Sequence, residues 1–112
     1  MHVVVVGAGE VGSYVADRLS REGHDVAIVD LSSSKLRRLD DALDVLTVVG
    51  SGTHPETLSR AGVEHSELLV AVTANDEANL VASMVGKSMG VKQTICRIEA
   101  SGLRGPAAHS VR

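Results

Sequence analysis

A run of four valines leads directly into a glycine-rich turn near the start of the chain, in the stretch "HVVVVGAGEVG" at 2–12. Its glycines, Gly7, Gly9 and Gly12, follow the spacing G-x-G-x-x-G, which is informative only between a strand and a helix. Both neighbours are predicted here, because a short apolar run favours a buried strand. An amphipathic helix is predicted from apolar residues at i, i+3, i+4 and i+8, namely Val11, Tyr14, Val15 and Leu19.

Five short apolar runs recur along the chain, with helix-period or turn segments between them. They lie at 2–6, 25–29, 44–49, 68–72 and 94–98. Four of the five are nearly continuous rather than alternating, which is typical of strands buried on both faces of a parallel sheet. Strands that alternate with helices through right-handed crossovers build a doubly wound sheet. We therefore expect an α/β, Rossmann-like fold with five visible strands.

Helix starts are predicted from capping residues in three of the connections. The serines at 32–34 offer N-caps to the second helix. Thr53 and Glu56 have the spacing of a capping box at the third helix. Asn75 and Asp76 either cap the fourth helix or contact a ligand, and the sequence favours neither reading.

Residues 1–99 are expected to form one domain, because a chain of 112 residues suits a single compact core. Aromatic residues make up 1% of the chain, so that core must be aliphatic. Residues 100–112 have no hydrophobic period and are expected to be an irregular tail, a truncation remnant or vector sequence. The final strand of a six-stranded sheet would then be missing, and the natural protein would be longer.

Several classes of function are disfavoured by the composition. The net charge is −3 with acids and bases interspersed, which does not suit a nucleic-acid-binding surface. The opening apolar run is too short for a signal peptide or a membrane span, so a soluble, cytoplasmic domain is expected. The five histidines lack metal-ligand spacing, and no Ser–His–Asp set can be assembled. Cys96 is expected to be a buried, inert thiol.

The glycine turn predicts a nucleotide site. Gly7 permits the tight turn, Gly9 lets the backbone approach a pyrophosphate, and Gly12 lets the helix pack on the strand. Asp30 ends the second run, where a carboxylate accepts hydrogen bonds from ribose hydroxyls and repels a 2′-phosphate, so NAD is favoured over NADP. The alternative is that Asp30 only caps the next helix. Three basic side chains keep binding of a 2′-phosphate as an alternative, although they are better suited to solvated positions on a helix face: Lys35, Arg37 and Arg38.

Two later loops should border the same nucleotide, because ligands of this fold lie beyond the carboxyl ends of the strands. The loop in "VVGSGT" (48–53) is assigned to the adenine side, and that in "AVTANDEAN" (71–79) to the diphosphate or second ribose. Arg97 needs an anionic partner, which is Glu99, a terminal phosphate or a neighbouring subunit's carboxylate. The predicted cofactor-binding residues are Gly7, Ala8, Gly9, Glu10, Val11, Gly12, Asp30, Leu31, Gly50, Ser51, Ala71, Val72, Thr73 and Arg97.

These motifs together resemble a known family. They are similar to the N-terminal RCK or KTN (TrkA-N) nucleotide-binding domain of Trk potassium-uptake regulators. The similar segments are the glycine turn with Asp30, the stretch "GSGTHPETLSRAG" (50–62), the run "VAVTANDEAN" (70–79) and the arginine that ends "ICR" (95–97). The resemblance covers about residues 1–99. It implies a Rossmann domain whose phosphate loop is 7–12, whose ribose acid is Asp30 and whose strand-end arginine is Arg97.

The resemblance also implies a function. Such domains are cytoplasmic subunits, peripheral to the inner face of the membrane, that bind NAD(H), ATP or ADP. They assemble as dimers and rings and pass ligand-dependent changes to a potassium channel or transporter. Two alternatives stay open: the cofactor-binding half of an NAD-dependent oxidoreductase, and a purely structural assembly domain with an empty cleft.

Overall fold

The computed structural model describes residues 1–99 together with the backbone of 107–111. Its sheet has the strand order β3-β2-β1-β4-β5-β6. The strands are β1 His2–Val6, β2 Asp25–Asp30, β3 Leu46–Val49, β4 Leu68–Ala71, β5 Gln93–Ile98 and β6 Ala107–Val111. The helices are α1 Glu10–Arg21, α2 Ser33–Ala42, α3 Pro55–Arg60 and α4 Asp76–Ser88, with a short 3-10 helix at Val63–His65.

The valine run forms the central strand. β1 pairs in parallel with β2 on one side and with β4 on the other. Val3 and Val5 point to one face of the sheet and pack with Ala16 of α1 and Leu36 of α2. Val4 and Val6 point to the other face, where the core includes Leu58 of α3 and Ala82 of α4. Helices therefore cover both faces, and the doubly wound, Rossmann-like parallel sheet predicted from the sequence is confirmed.

The expectation of a missing final strand is wrong, and so is that of an irregular tail where it concerns residues 107–111. These residues form β6, which pairs antiparallel with β5 in the register Thr94↔Val111 to Ile98↔Ala107. The connection 99–106 is too short for a helical crossover, which parallel pairing would need, whereas an antiparallel return needs only a few residues. The remainder of the predicted tail, 100–106 and 112, lies outside the described residues.

Helix capping follows the sequence at two of the three predicted sites. The Ser32 hydroxyl accepts a hydrogen bond from Lys35 N at 3.3 Å, and the Asn75 side chain accepts one from Ala78 N at 2.7 Å. The predicted capping box at the third helix is wrong, because α3 begins after His54 and no side chain caps it. Thr53 instead lies one residue too early, and its hydroxyl is 2.7 Å from that of Ser51.

None of the helices within the described part of the chain combines the length and the hydropathy that crossing a bilayer requires.

Candidate nucleotide-binding site

A cleft opens at the carboxyl ends of the parallel strands and contains two adjoining cavities. The β3-side cavity has a volume of about 510 Å³ and is lined by Val6, Val29, Asp30, Leu31, Gly50, Ser51, Gly52, Thr53, Thr73, Ala74, Asn75 and Ala78. The β5-side cavity has a volume of about 460 Å³ and is lined by Gly7, Gly9, Glu10, Val11, Asp30, Lys35, Val72, Thr73, Ala74 and Arg97. Both include Asp30, Thr73 and Ala74, so they are two compartments of one cleft.

Two glycines of the turn are required by the fold itself. Gly7 has φ +113, and a Cβ there would lie 3.0 Å from the backbone nitrogen of Thr73. At Gly12 a Cβ would lie 1.7 Å from the carbonyl oxygen of Gly7, closer than any contact allows. Gly12 therefore permits the close passage of α1 over the end of β1, and Gly7 permits the turn and the close approach of the loop after β4.

Gly9 is different, because the protein itself does not need a glycine there. Its φ of −77 and ψ of −161 are open to any residue, and a Cβ would meet nothing within 4 Å. Gly9 is the N-cap of α1 and makes no side-chain cap, so the first-turn N–H groups of this helix lack a capping acceptor. Gly9 lines the β5-side cavity and also a neighbouring cavity of about 460 Å³ that includes Ser13 and Arg38. A bare backbone at a helix start is the surface that binds a phosphate.

Asp30 lies at the border between the two cavities. Its Oδ1 accepts a hydrogen bond from Ala8 N, and its Oδ2 accepts one from Ser32 N, each at 2.8 Å. The N-cap of α2 is Ser32 rather than Asp30, so the carboxylate does not cap the helix directly. Each carboxylate oxygen has a second lone pair, which leaves acceptor capacity for ribose hydroxyls. The ribose role stays a prediction.

The loop after β4 is held by a buried amide that the sequence reasoning missed. Asn79 is fully buried on α4, and its Oδ1 accepts a hydrogen bond from Thr73 N at 2.9 Å. Its Nδ2 donates to Thr73 O at 3.0 Å and to Arg97 O at 2.9 Å. Asn79 thus fixes the cavity wall at Thr73 and ties it to the end of β5. The available signal was an amide on the apolar face of α4, next to Ala82 and Ser83, which are also buried.

Arg97 has the intramolecular partner that the sequence allowed. Its Nε donates to Glu99 Oε1 at 3.0 Å. The Arg97 side chain is 32% exposed and lines the β5-side cavity opposite the glycine turn. One of the three predicted partners, Glu99, is therefore confirmed, while contact with a phosphate stays a prediction.

The remaining predicted site residues divide into three groups. Leu31, Gly50 and Ser51 line the β3-side cavity, whereas Glu10, Val11 and Val72 line the β5-side cavity. Three predicted residues line neither cavity: Ala8, Gly12 and Ala71. Ala8 contributes its N–H to Asp30, Gly12 packs on Gly7, and Ala71 is fully buried in β4.

Other wall residues were not assigned to a ligand from the sequence. Lys35 is exposed, as expected of a helix-face charge, but it also borders the β5-side cavity. Asn75 caps α4 and lines the β3-side cavity, so its two sequence readings are compatible. Among the side chains of residues 1–99, no group of three His, Cys, Asp or Glu could hold a metal ion.

The parallel sheet, the glycine turn after β1 and the acid at the end of β2 define a Rossmann-type domain. The family model of the TrkA-N domain matches residues 3–103, and the chain belongs to this family. Among curated relatives, the "Trk system potassium uptake protein TrkA" of Azorhizobium caulinodans is 46% identical over 112 residues, which are 99% of this chain and 24% of that protein. The protein of the same name from Halomonas elongata is 39% identical over 102 residues, covering 90% of this chain and 22% of that protein. The chain thus spans about a quarter of these relatives.

Solved structures share the fold. The TrkA-N domain of the inner membrane protein ybaL from Escherichia coli superposes with a TM-score of 0.81 at 20% identity, covering 90% of this chain and 75% of that one. The Kef C-terminal domain of Shewanella denitrificans, solved in an AMP-bound form, superposes with a TM-score of 0.67 at 23% identity. That match covers 79% of this chain and 52% of the other.

Proposed function

We propose that this domain binds an adenine nucleotide, NAD(H) or ATP and ADP, and regulates potassium uptake through a membrane partner. Nucleotide binding is supported above all by Gly9. The fold does not require a glycine there, and Gly9 stands at an uncapped helix start that faces a cavity. The potassium half is supported by the curated relatives, whose names place them in Trk potassium uptake.

The two cavities suit the two ends of an adenine nucleotide. The β3-side cavity has an apolar floor of Val6 and Val29 for the base. Asp30, at the border of the cavities, receives the ribose hydroxyls. The phosphates then reach the start of α1 at Gly9, where backbone N–H groups and the helix dipole stabilise negative charge.

Regulation follows if nucleotide occupancy changes the relative stability of two arrangements of the assembled protein. A ligand shifts such an equilibrium only through different affinities for the two states. We propose a homo-oligomer that is cytoplasmic, peripheral to the inner face of the membrane, bound to a potassium-transporting subunit and not bound to nucleic acid. In this account the domain is a binding module and not an enzyme.

Isothermal titration calorimetry of the 112-residue chain with NAD, NADH, ATP and ADP tests the nucleotide half. Binding of at least one of them, weakened by Gly9→Ala, is expected. No detectable heat at millimolar ligand would contradict the proposal and favour a structural domain. The potassium half is tested by deleting the gene in its host and measuring potassium uptake, with the Gly9→Ala gene as the binding-deficient control. Unchanged uptake after deletion would contradict regulation.

A further inference from the structure

We propose that Glu99 determines specificity in the nucleotide cleft: its carboxylate competes with the outermost phosphate of a triphosphate for two N–H donors of the Arg97 guanidinium. A diphosphate, which ends before Arg97, does not meet this competition. The inference rests on the proposed nucleotide function and assigns a role to a residue outside both cavity linings.

The ion pair that carries this inference joins two side chains two residues apart at the end of β5. Glu99 Oε1 accepts hydrogen bonds from both Nε and an Nη atom of Arg97. The two side chains are 32% and 45% exposed, so the pair stands at the mouth of the cleft and not in the core. Two N–H groups of the Arg97 guanidinium, on Nε and on one Nη, thus donate to a carboxylate of the protein itself.

The backbone on either side of the pair is anchored. Glu99 N donates to Asp76 Oδ1 at 2.9 Å, and Arg97 O accepts from Asn79 Nδ2 at 2.9 Å. Both anchors belong to α4, the helix that packs beside the cleft. The carboxylate of Glu99 is therefore held near Arg97, and a phosphate that approaches the Nε edge of this guanidinium competes with Glu99 for the same two donors.

Strand positions indicate which part of a nucleotide reaches Arg97. Asp30 ends β2, and Arg97 is on β5, three strands away in the order β2-β1-β4-β5. With neighbouring strands about 4.8 Å apart, this separation is about 14 Å. The glycine turn after β1 lies between them and takes the inner phosphates. Contact with Arg97 is left to the group farthest from the ribose, which is the third phosphate of ATP.

Charge makes the competition unfavourable for a triphosphate. The β5-side cavity is lined by two acids, Glu10 and Asp30, and two bases, Lys35 and Arg97, whose formal charges cancel. Glu99 then adds a further negative charge beside one of the two bases. A ligand that does not extend to Arg97 leaves the pair intact, whereas ATP competes with Glu99 for these donors.

The test is calorimetry of the 112-residue chain with ATP and ADP in EDTA, comparing wild type with Glu99→Gln. The substitution keeps the shape and removes the charge. We expect ATP to bind about two- to fivefold tighter, as for loss of an exposed ion pair, and ADP to change by less than about 1.5-fold. Glu77→Gln is the matched control, because Glu77 is an exposed acid in the first turn of α4 and lines neither cavity.

An Arg97→Ala background separates competition from general repulsion. If Glu99 acts through Arg97, Glu99→Gln has no effect on ATP affinity in that background, whereas simple repulsion of the triphosphate would persist. The inference is overturned if Glu99→Gln leaves the ratio of ATP to ADP affinity unchanged. It is also overturned if the effect of Glu99→Gln persists in the Arg97→Ala background or if Glu77→Gln has the same effect. In each of these cases, nucleotide binding by the wild type still upholds the nucleotide site. Absence of any binding to the wild type overturns both.

Discussion

The carboxylate of Asp30 accepts a 2.8 Å hydrogen bond from the backbone N–H of Ala8, which joins the end of β2 to the glycine turn after β1. Its other oxygen accepts from Ser32 N at the start of α2. One side chain therefore shapes the turn for phosphates and borders both cavities. Pre-positioning of this kind lowers the cost of ordering the site when a ligand binds.

Asp30→Ala is expected to weaken nucleotide binding by about ten- to a hundredfold, because hydrogen bonds to a charged group contribute about 1.5–3 kcal/mol. Calorimetry with NADH and ADP measures the effect. Asp17→Ala is the control: it removes an equal charge from an exposed ion pair with Arg21 on α1. If Asp30→Ala binds as tightly as the control, the ribose acid has been assigned to the wrong residue.

Gly9→Ala and Gly12→Ala should have opposite phenotypes. At Gly9 a methyl group meets no protein atom, so the free energy of unfolding should fall by less than about 1 kcal/mol while nucleotide affinity falls more than about tenfold. At Gly12 the methyl group meets Gly7 O, and a loss of about 2 kcal/mol or more is expected. Urea denaturation and calorimetry together separate the two. A Gly9→Ala protein that binds normally would refute the phosphate assignment.

Asn79→Ala should destabilise the protein by about 2–4 kcal/mol, because it leaves Thr73 N and the carbonyl oxygens of Thr73 and Arg97 without their partner. Asn75→Ala removes only an N-cap and should cost about 1 kcal/mol. Chemical denaturation of both variants checks the difference. Equal losses would mean that the buried amide does not hold the loop.

Cys96 should react with an aromatic disulfide reagent only after unfolding, because the thiol is fully buried in β5. The release of thiolate is followed by absorbance in buffer and in denaturant. Rapid reaction of the folded protein would show that the edge of the sheet near β5 opens readily.

Local patterns predicted the parts of the molecule that depend on local chemistry. The valine run predicted β1 because a strand buried on both faces needs apolar residues at every position, and Val3 to Val6 are all buried. The glycine spacing predicted the turn because a side chain at Gly7 or Gly12 would collide with neighbouring backbone atoms.

The missed features depend on contacts between distant parts of the chain. Asn79 reaches Arg97, which lies 18 residues away, and helical periodicity alone does not show such a partner. β6 forms by pairing with the edge of β5, and the sequence of 107–111 taken alone has no hydrophobic pattern that predicts a strand. At α3 the capping-box pattern was shifted by one residue, since the loop before it is shaped by the Ser51–Thr53 pair.

The central claim is that the cleft between Asp30 and the glycine turn holds an adenine nucleotide, and amide chemical-shift mapping tests it most directly. Titration of the 15N-labelled chain with ADP should move the signals of Gly9, Val11 and Ser51, which line the two cavities. The signal of Lys92, which directly precedes β5 at the amino-terminal end of the strands, should stay unchanged. Shifts confined to other surfaces, or none at millimolar ADP, would contradict the account.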